Sequence, residues 1–97
     1  MKLNVFAEVG GFAENKDAAR RLRVEFIDPA ISNKKKMTLD FTGVDLATQS
    51  FIHALLSEVI RSRGYEALDL LTFKGCNPNI QNLIEIVASY SQETVDD

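Results

Sequence analysis

The residues of this chain best suited to chemistry stand close together: Thr42, Asp45, Thr48, Gln49, Ser50 and His53, all within "LDFTGVDLATQSFIH". The hydroxyls of Thr42, Thr48 and Ser50 can accept a phosphoryl group or cap a helix, and Gln49 can hydrogen-bond a partner without bringing charge. Ser50 and His53 are near enough on a helix to meet as a nucleophile and its base. Such a pair also needs an orienting group and an oxyanion site, and only Asp40 and Asp45 are at hand for the first. The expectation for His53 is therefore an exposed helix histidine, and for the segment a non-enzymatic role. Asp40, closing an apolar run, suits a carboxylate that braces the loop around Gly43. "EVGGF" at residues 8–12 has two glycines but none of the Lys-Ser/Thr chemistry of a phosphate-binding loop. Cys76 is the one cysteine and His53 the one histidine, far apart. That excludes an internal disulfide and any metal-ligand spacing, so no metal and no cofactor are expected.

The elements that must position these residues follow from periodicity. Leu3, Val5 and Ala7 alternate in "KLNVFAE", which predicts a strand over Lys2 to Glu8, closed by Gly10 and Gly11. From Asn15, Ala18, Ala19, Leu22 and Phe26 recur at helical spacing, and the helix is expected to stop near Asp28-Pro29, because the residue before a proline disfavours the helical region. Met37, Leu39 and Phe41 alternate with Thr38 and Asp40 as a second strand. The strongest pattern is Phe51, Ile52, Leu55, Leu56, Val59 and Ile60, a broad apolar stripe with Arg61 and Arg63 at the negative end of the helix dipole and Gly64 as its stop. Its start lies between Thr48 and Ser50, and the hydroxyl of either can cap it, with capping the expected role of Ser50. Glu66 to Gly75 is predicted as a third strand. Asn77-Pro78 then opens a last helix carrying Ile80, Leu83, Ile84, Val87 and Tyr90. The expected fold is α/β, a small and mainly parallel sheet in alternating βαβαβα order with helices crowding one face. In such folds the loop after the second strand lies at a carboxyl edge, where ligand sites commonly form.

A chain of 97 residues suits one domain, expected over residues 1–91, with an acidic tail at 92–97 that frays. No apolar stretch is long enough to span a membrane, and "MKLN" enters the first strand without a signal-peptide pattern, so a cytoplasmic protein is expected. Charge is uneven. Residues 16–36 hold Lys16, Arg20, Arg21, Arg23, Lys34, Lys35 and Lys36 against Asp17, Glu25 and Asp28, a local net of +4 in a chain of net −3. Arg20, Arg21, Arg23, Lys34, Lys35 and Lys36 form a candidate patch for an anionic partner. Nucleic acid is a poor candidate for that partner, since no aromatic residues interleave with the charges and the domain as a whole is acidic.

Asp40-Phe41-Thr42-Gly43-Val44, with Ser50-Phe51 at the matching distance and an amphipathic helix after them, resembles the central segment of STAS-type domains, the sulphate transporter and anti-sigma-factor antagonist group. It is most similar to the STAS-like domain family of unknown function. The resemblance implies a bacterial regulatory module that acts by protein–protein interaction. In anti-sigma-factor antagonists an ATPase of the histidine-kinase type, or an anti-sigma-like factor, binds the domain and phosphorylates a Ser or Thr at this junction. The added charge of about −2 then breaks the complex. Here the aligned position is Gln49, which has no hydroxyl, and Thr48 replaces the acidic residue before it. The resemblance therefore implies either a permanently unphosphorylated binder or a site shifted to Ser50. A small-molecule or nucleotide sensor of the same fold is the alternative.

Overall fold

The structure, a computed structural model, describes residues 1–93. Its elements run β1 (Lys2–Asn4), α1 (Val5–Val9), β2 (Phe12–Ala13), α2 (Lys16–Leu22), α3 (Asp28–Ser32), β3 (Met37–Asp40), β4 (Leu46–Ala47), α4 (Gln49–Arg63), α5 (Tyr65–Leu70), β5 (Leu71–Lys74) and α6 (Pro78–Glu93). The class is mixed α/β with a small parallel sheet, and the order is richer than a plain alternation. Strands β1, β3 and β5 lie side by side in that order, all parallel. The short β2 and β4 pair in parallel as a separate ribbon.

Register divides the three-stranded sheet into two faces. Leu3, Leu39 and Phe73 form one row, and Met37 with Leu71 another on the same side, all buried or half-buried. The alternate positions Lys2, Asn4, Thr38, Asp40, Thr72 and Lys74 make the opposite face polar. Parallel neighbours need crossover connections, and the helices that supply them pack together: α4 lies against both α2 and α6. The stripe on α4 forms the centre of the core, with Phe51, Ile52, Leu55, Leu56 and Ile60 fully enclosed. Gly64 ends α4 at φ +60, its N–H bonded to the Ile60 carbonyl, and Asn77 caps α6 by accepting from the Ile80 N–H at 2.9 Å.

Three expectations are corrected. The first strand ends at Asn4 instead of reaching Glu8, because the Asn4 side chain accepts from the Ala7 N–H at 3.0 Å and turns the chain into α1. The helix from Lys16 does not stop at Asp28-Pro29. Arg23–Ile27 forms a wide, π-type turn in which the Asp28 N–H reaches the Arg23 carbonyl, and the chain continues through Ser32. A proline ring collides with the carbonyl four residues back in regular α register; the wide turn shifts that register, and Pro29 sits in the first turn of α3, where an N–H has no partner. The third strand is shorter than expected, since Tyr65–Leu70 is helical and only Leu71–Lys74 joins the sheet. Ala67, Leu68, Leu70 and Leu71 are inward at helical, not alternating, spacing. The last helix, α6, runs on to Glu93 with Ser91 buried; of the expected tail at 92–97, residues 94–97 lie outside the described residues. Among the described residues no helix is long and apolar enough to cross a membrane.

The central place of α4 sets an energetic expectation. Leu55→Ala should lower stability by about 2–5 kcal/mol, as truncation of a closed core site does, whereas Val24→Ala on the exposed side of the wide turn should change it by less than about 0.5 kcal/mol. Chemical denaturation followed by circular dichroism measures both.

Candidate functional site

The run Asp40-Phe41-Thr42-Gly43-Val44 is a tight turn at the carboxyl edge of the sheet, closed by the Val44 N–H on the Phe41 carbonyl at 2.9 Å. Phe41 and Val44 are buried and anchor its two ends. Gly43, at the third position, has φ +93, a conformation that costs glycine nothing, and a Cβ there would lie 3.0 Å from the Phe6 ring. Asp40 is buried and accepts from the Thr42 N–H at 2.9 Å while Lys2 Nζ lies 3.2 Å away. The Thr42 hydroxyl and N–H beside the carboxylate, with Lys2 adding to them, lower its pKa from the ordinary 3.8 to about 2. Asp40 thus braces the turn as expected.

Across the edge, Gly75 at φ +68 presses on Thr42. A Cβ at Gly75 would collide with the Thr42 hydroxyl and come within 2.8 Å of its nitrogen. The loops after β3 and β5 are held together there. Asn77 adds a tie by donating to the Asp45 carbonyl at 2.7 Å. Cys76, half-buried nearby, has its thiol pushed up by burial and by the Asp40 charge, which disfavours a nucleophilic thiolate.

The stretch from Asp45 to Thr48 is more ordered than a loop. The Asp45 and Leu46 N–H groups both reach the Gly11 carbonyl, and the Thr48 N–H donates to Ala13, so β4 is strapped to β2. Thr48, not Ser50, is the cap: its hydroxyl accepts from the Phe51 N–H at 3.1 Å. An N-cap must stand just outside the helix in extended backbone, and Thr48 does so at φ −93, ψ 156, whereas Ser50 is already helical. This corrects the expectation for Ser50. Gln49 and Ser50 are exposed in the first turn of α4, and the Ser50 hydroxyl has no hydrogen-bond partner among the described residues. His53 is exposed, and its Nδ1 lies 3.4 Å from the hydroxyl of Ser57, one turn on, instead of meeting Ser50.

Between α2 and α4 lies a cleft of about 640 Å³. Gln49, Ser50, His53, Ala54, Ser57 and Glu58 form its α4 wall, and Lys16 and Arg20 stand opposite on α2. Two groups of candidates that are separate in the sequence thus meet in space. Thr42 and Asp45 are not part of the cleft; they belong to the turn at the sheet edge.

The expected basic patch divides. Arg21 pairs with Glu8 and Glu25, and Arg23, half-buried, pairs with Asp28 at 3.2 Å. Arg20 and Lys16 have no ion-pair partner among the described residues. Lys34, Lys35 and Lys36 lie at the amino edge of the sheet, just ahead of β3, where Arg63 at the far end of α4 donates to Ser32. Sequence reasoning counted Lys16 in the basic balance but left it out of the candidate patch. Its spacing of four from Arg20 on one helix face was the available signal.

An α/β domain with a small parallel sheet, its carboxyl-edge turn leading to an exposed helix start beside two free cations, is the class that fold and site define. The family described as a STAS-like domain of unknown function matches residues 18–81, and the chain belongs to it. No curated protein and no solved structure matches the chain.

The two hydroxyls at the start of α4 should separate by mutation. Thr48→Ala should cost about 1 kcal/mol through the lost cap, and Ser50→Ala should stay within about 0.5 kcal/mol, by denaturant titration. Because the pKa of Asp40 is depressed in the fold, its ionisation stabilises the protein above pH 3.8, and that contribution is lost as pH falls toward about 2. Asp40→Asn should therefore flatten the loss of stability across this acid range in a series of thermal melts.

Proposed function

We propose that this chain is a non-enzymatic regulatory domain that binds a protein partner through the turn and helix start at 42–53. The observation that carries this is the division of labour at the start of α4. Thr48 takes the capping duty, which leaves Gln49 and Ser50 exposed and free for contact. Seven of the eight residues lining the cleft carry a polar or charged group, Ala54 being the exception, so a protein surface can be met there by several hydrogen bonds and charges. Kinship with anti-sigma-factor antagonists, at the level of resemblance, makes an ATPase of the histidine-kinase type the partner to test first, in a cytoplasmic setting.

Gln49 stands where those antagonists carry the phosphorylated hydroxyl, so the domain acts as a constitutive binder rather than a switch. A second version is favoured by one specific observation: Ser50 keeps an unengaged hydroxyl on the outer face of the first turn. A phosphoryl group there would stand at a helix N-terminus and beside two cations, where its charge is stabilised.

Capture from the native host should recover one ATPase-like protein with the wild type and lose it with the Gln49→Glu, Ser50→Asp pair. Unchanged capture by that pair would remove this surface from the interface. Incubation with the captured kinase should leave the domain unlabelled if it is constitutive. Stoichiometric label that disappears in Ser50→Ala would instead establish the shifted switch.

A further inference from the structure

We infer that the cleft between α2 and α4 receives an acidic, extended segment of the protein partner, with Lys16 and Arg20 as its anion contacts. This deepens the interaction-domain reading above and rests on it. Charge selects the occupant. Of the cations along α2 and the wide turn, Arg21 and Arg23 are neutralised by Glu8, Glu25 and Asp28, while Lys16 and Arg20 enter the cleft without a partner. Both lie on one face of α2, four residues apart, and Asp17 lies about 100° round the helix from Lys16. Facing them, Gln49 and Ser50 offer an amide and a hydroxyl that can donate to a carboxylate.

Shape favours a peptide over a small anion. The α4 wall from Gln49 to Glu58 is about 13 Å long at 1.5 Å per residue, which matches about four residues of extended chain. Glu58, at the far end, sets polarity: the carboxylates of the guest lie toward Lys16 and Arg20, and a donor or cation falls beside Glu58.

The test uses the full chain and a fluorescein-labelled peptide of four glutamates, with its glutamine counterpart as reference. Wild type should bind the acidic peptide, and the glutamine peptide at least 10-fold more weakly. Lys16→Glu with Arg20→Glu should weaken binding of the acidic peptide at least 10-fold. Lys34→Glu with Lys35→Glu, the same charge change at the opposite edge of the sheet, should alter it less than twofold. Both positions in the cleft are exposed, so circular dichroism should show intact folds. Equal loss in the two double variants would reduce the effect to net charge and overturn the assignment. So would binding of inorganic phosphate or ATP in the cleft without binding of the peptide. The captured partner separates the two levels of inference. If Gln49→Glu, Ser50→Asp abolishes capture while Lys16→Glu, Arg20→Glu retains it, the interaction domain stands and the acidic-segment assignment falls.

Discussion

Burial of one face of α4 is the constraint from which the rest of the structure follows. Phe51, Ile52, Leu55, Leu56, Val59 and Ile60 are all buried, against α2 and α6 among other neighbours, and no other rotation of the helix could keep them all covered. Once that face is turned inward, a second face is fixed by the same period. Ser50, His53 or Ala54, and Ser57 recur every three to four residues and so line a single wall of the cleft. The placement of the candidate site is thus a consequence of hydrophobic packing, and it needs no separate device beyond the Thr48 cap that sets where the helix begins.

That starting point depends on backbone geometry at the carboxyl edge. Asp40 braces Thr42, Gly43 supplies the left-handed residue of the turn under the Phe6 ring, and Gly75 allows β5 to approach Thr42 more closely than any side chain would permit. Three short ties, from Asp45 and Leu46 to Gly11 and from Asn77 to Asp45, then carry this rigidity into the strap that delivers Thr48. Asp40, Phe41, Gly43 and Val44 are therefore accounted for as architecture, while Gln49 and Ser50, further along, stay exposed.

The basic segment illustrates how linear charge misleads. Seven cations in 21 residues read as one patch, yet successive positions on a helix point about 100° apart, and the acidic residues that quench Arg21 and Arg23 come partly from α1, far off in the sequence. Of the five that stay unpaired among the described residues, Lys34, Lys35 and Lys36 lie at the amino edge of the sheet, and only Lys16 and Arg20 face the wall that α4 provides. A small, directed charge in a cleft is better suited to recognising one segment of a partner than a diffuse field is.

Local chemistry was enough to determine α4, α6, β3 and the limits set by Gly64 and Asn77-Pro78, because long periodic stripes, caps and helix stops act between near neighbours. It also determined the family motif and the bracing role of Asp40. The two-residue strands β2 and β4 were beyond its reach, since strands so short hold only through a partner some 34 positions away. So were α1 and α5, where few residues are buried and an alternating or a helical pattern could each be drawn through the same side chains. Thr48 and Ser50 were equally good caps on paper. Only the strapping of β4 to β2 placed Thr48 outside the helix in extended backbone and left Ser50 within its first turn, because a cap is chosen by where the chain is held and not by which hydroxyls it carries.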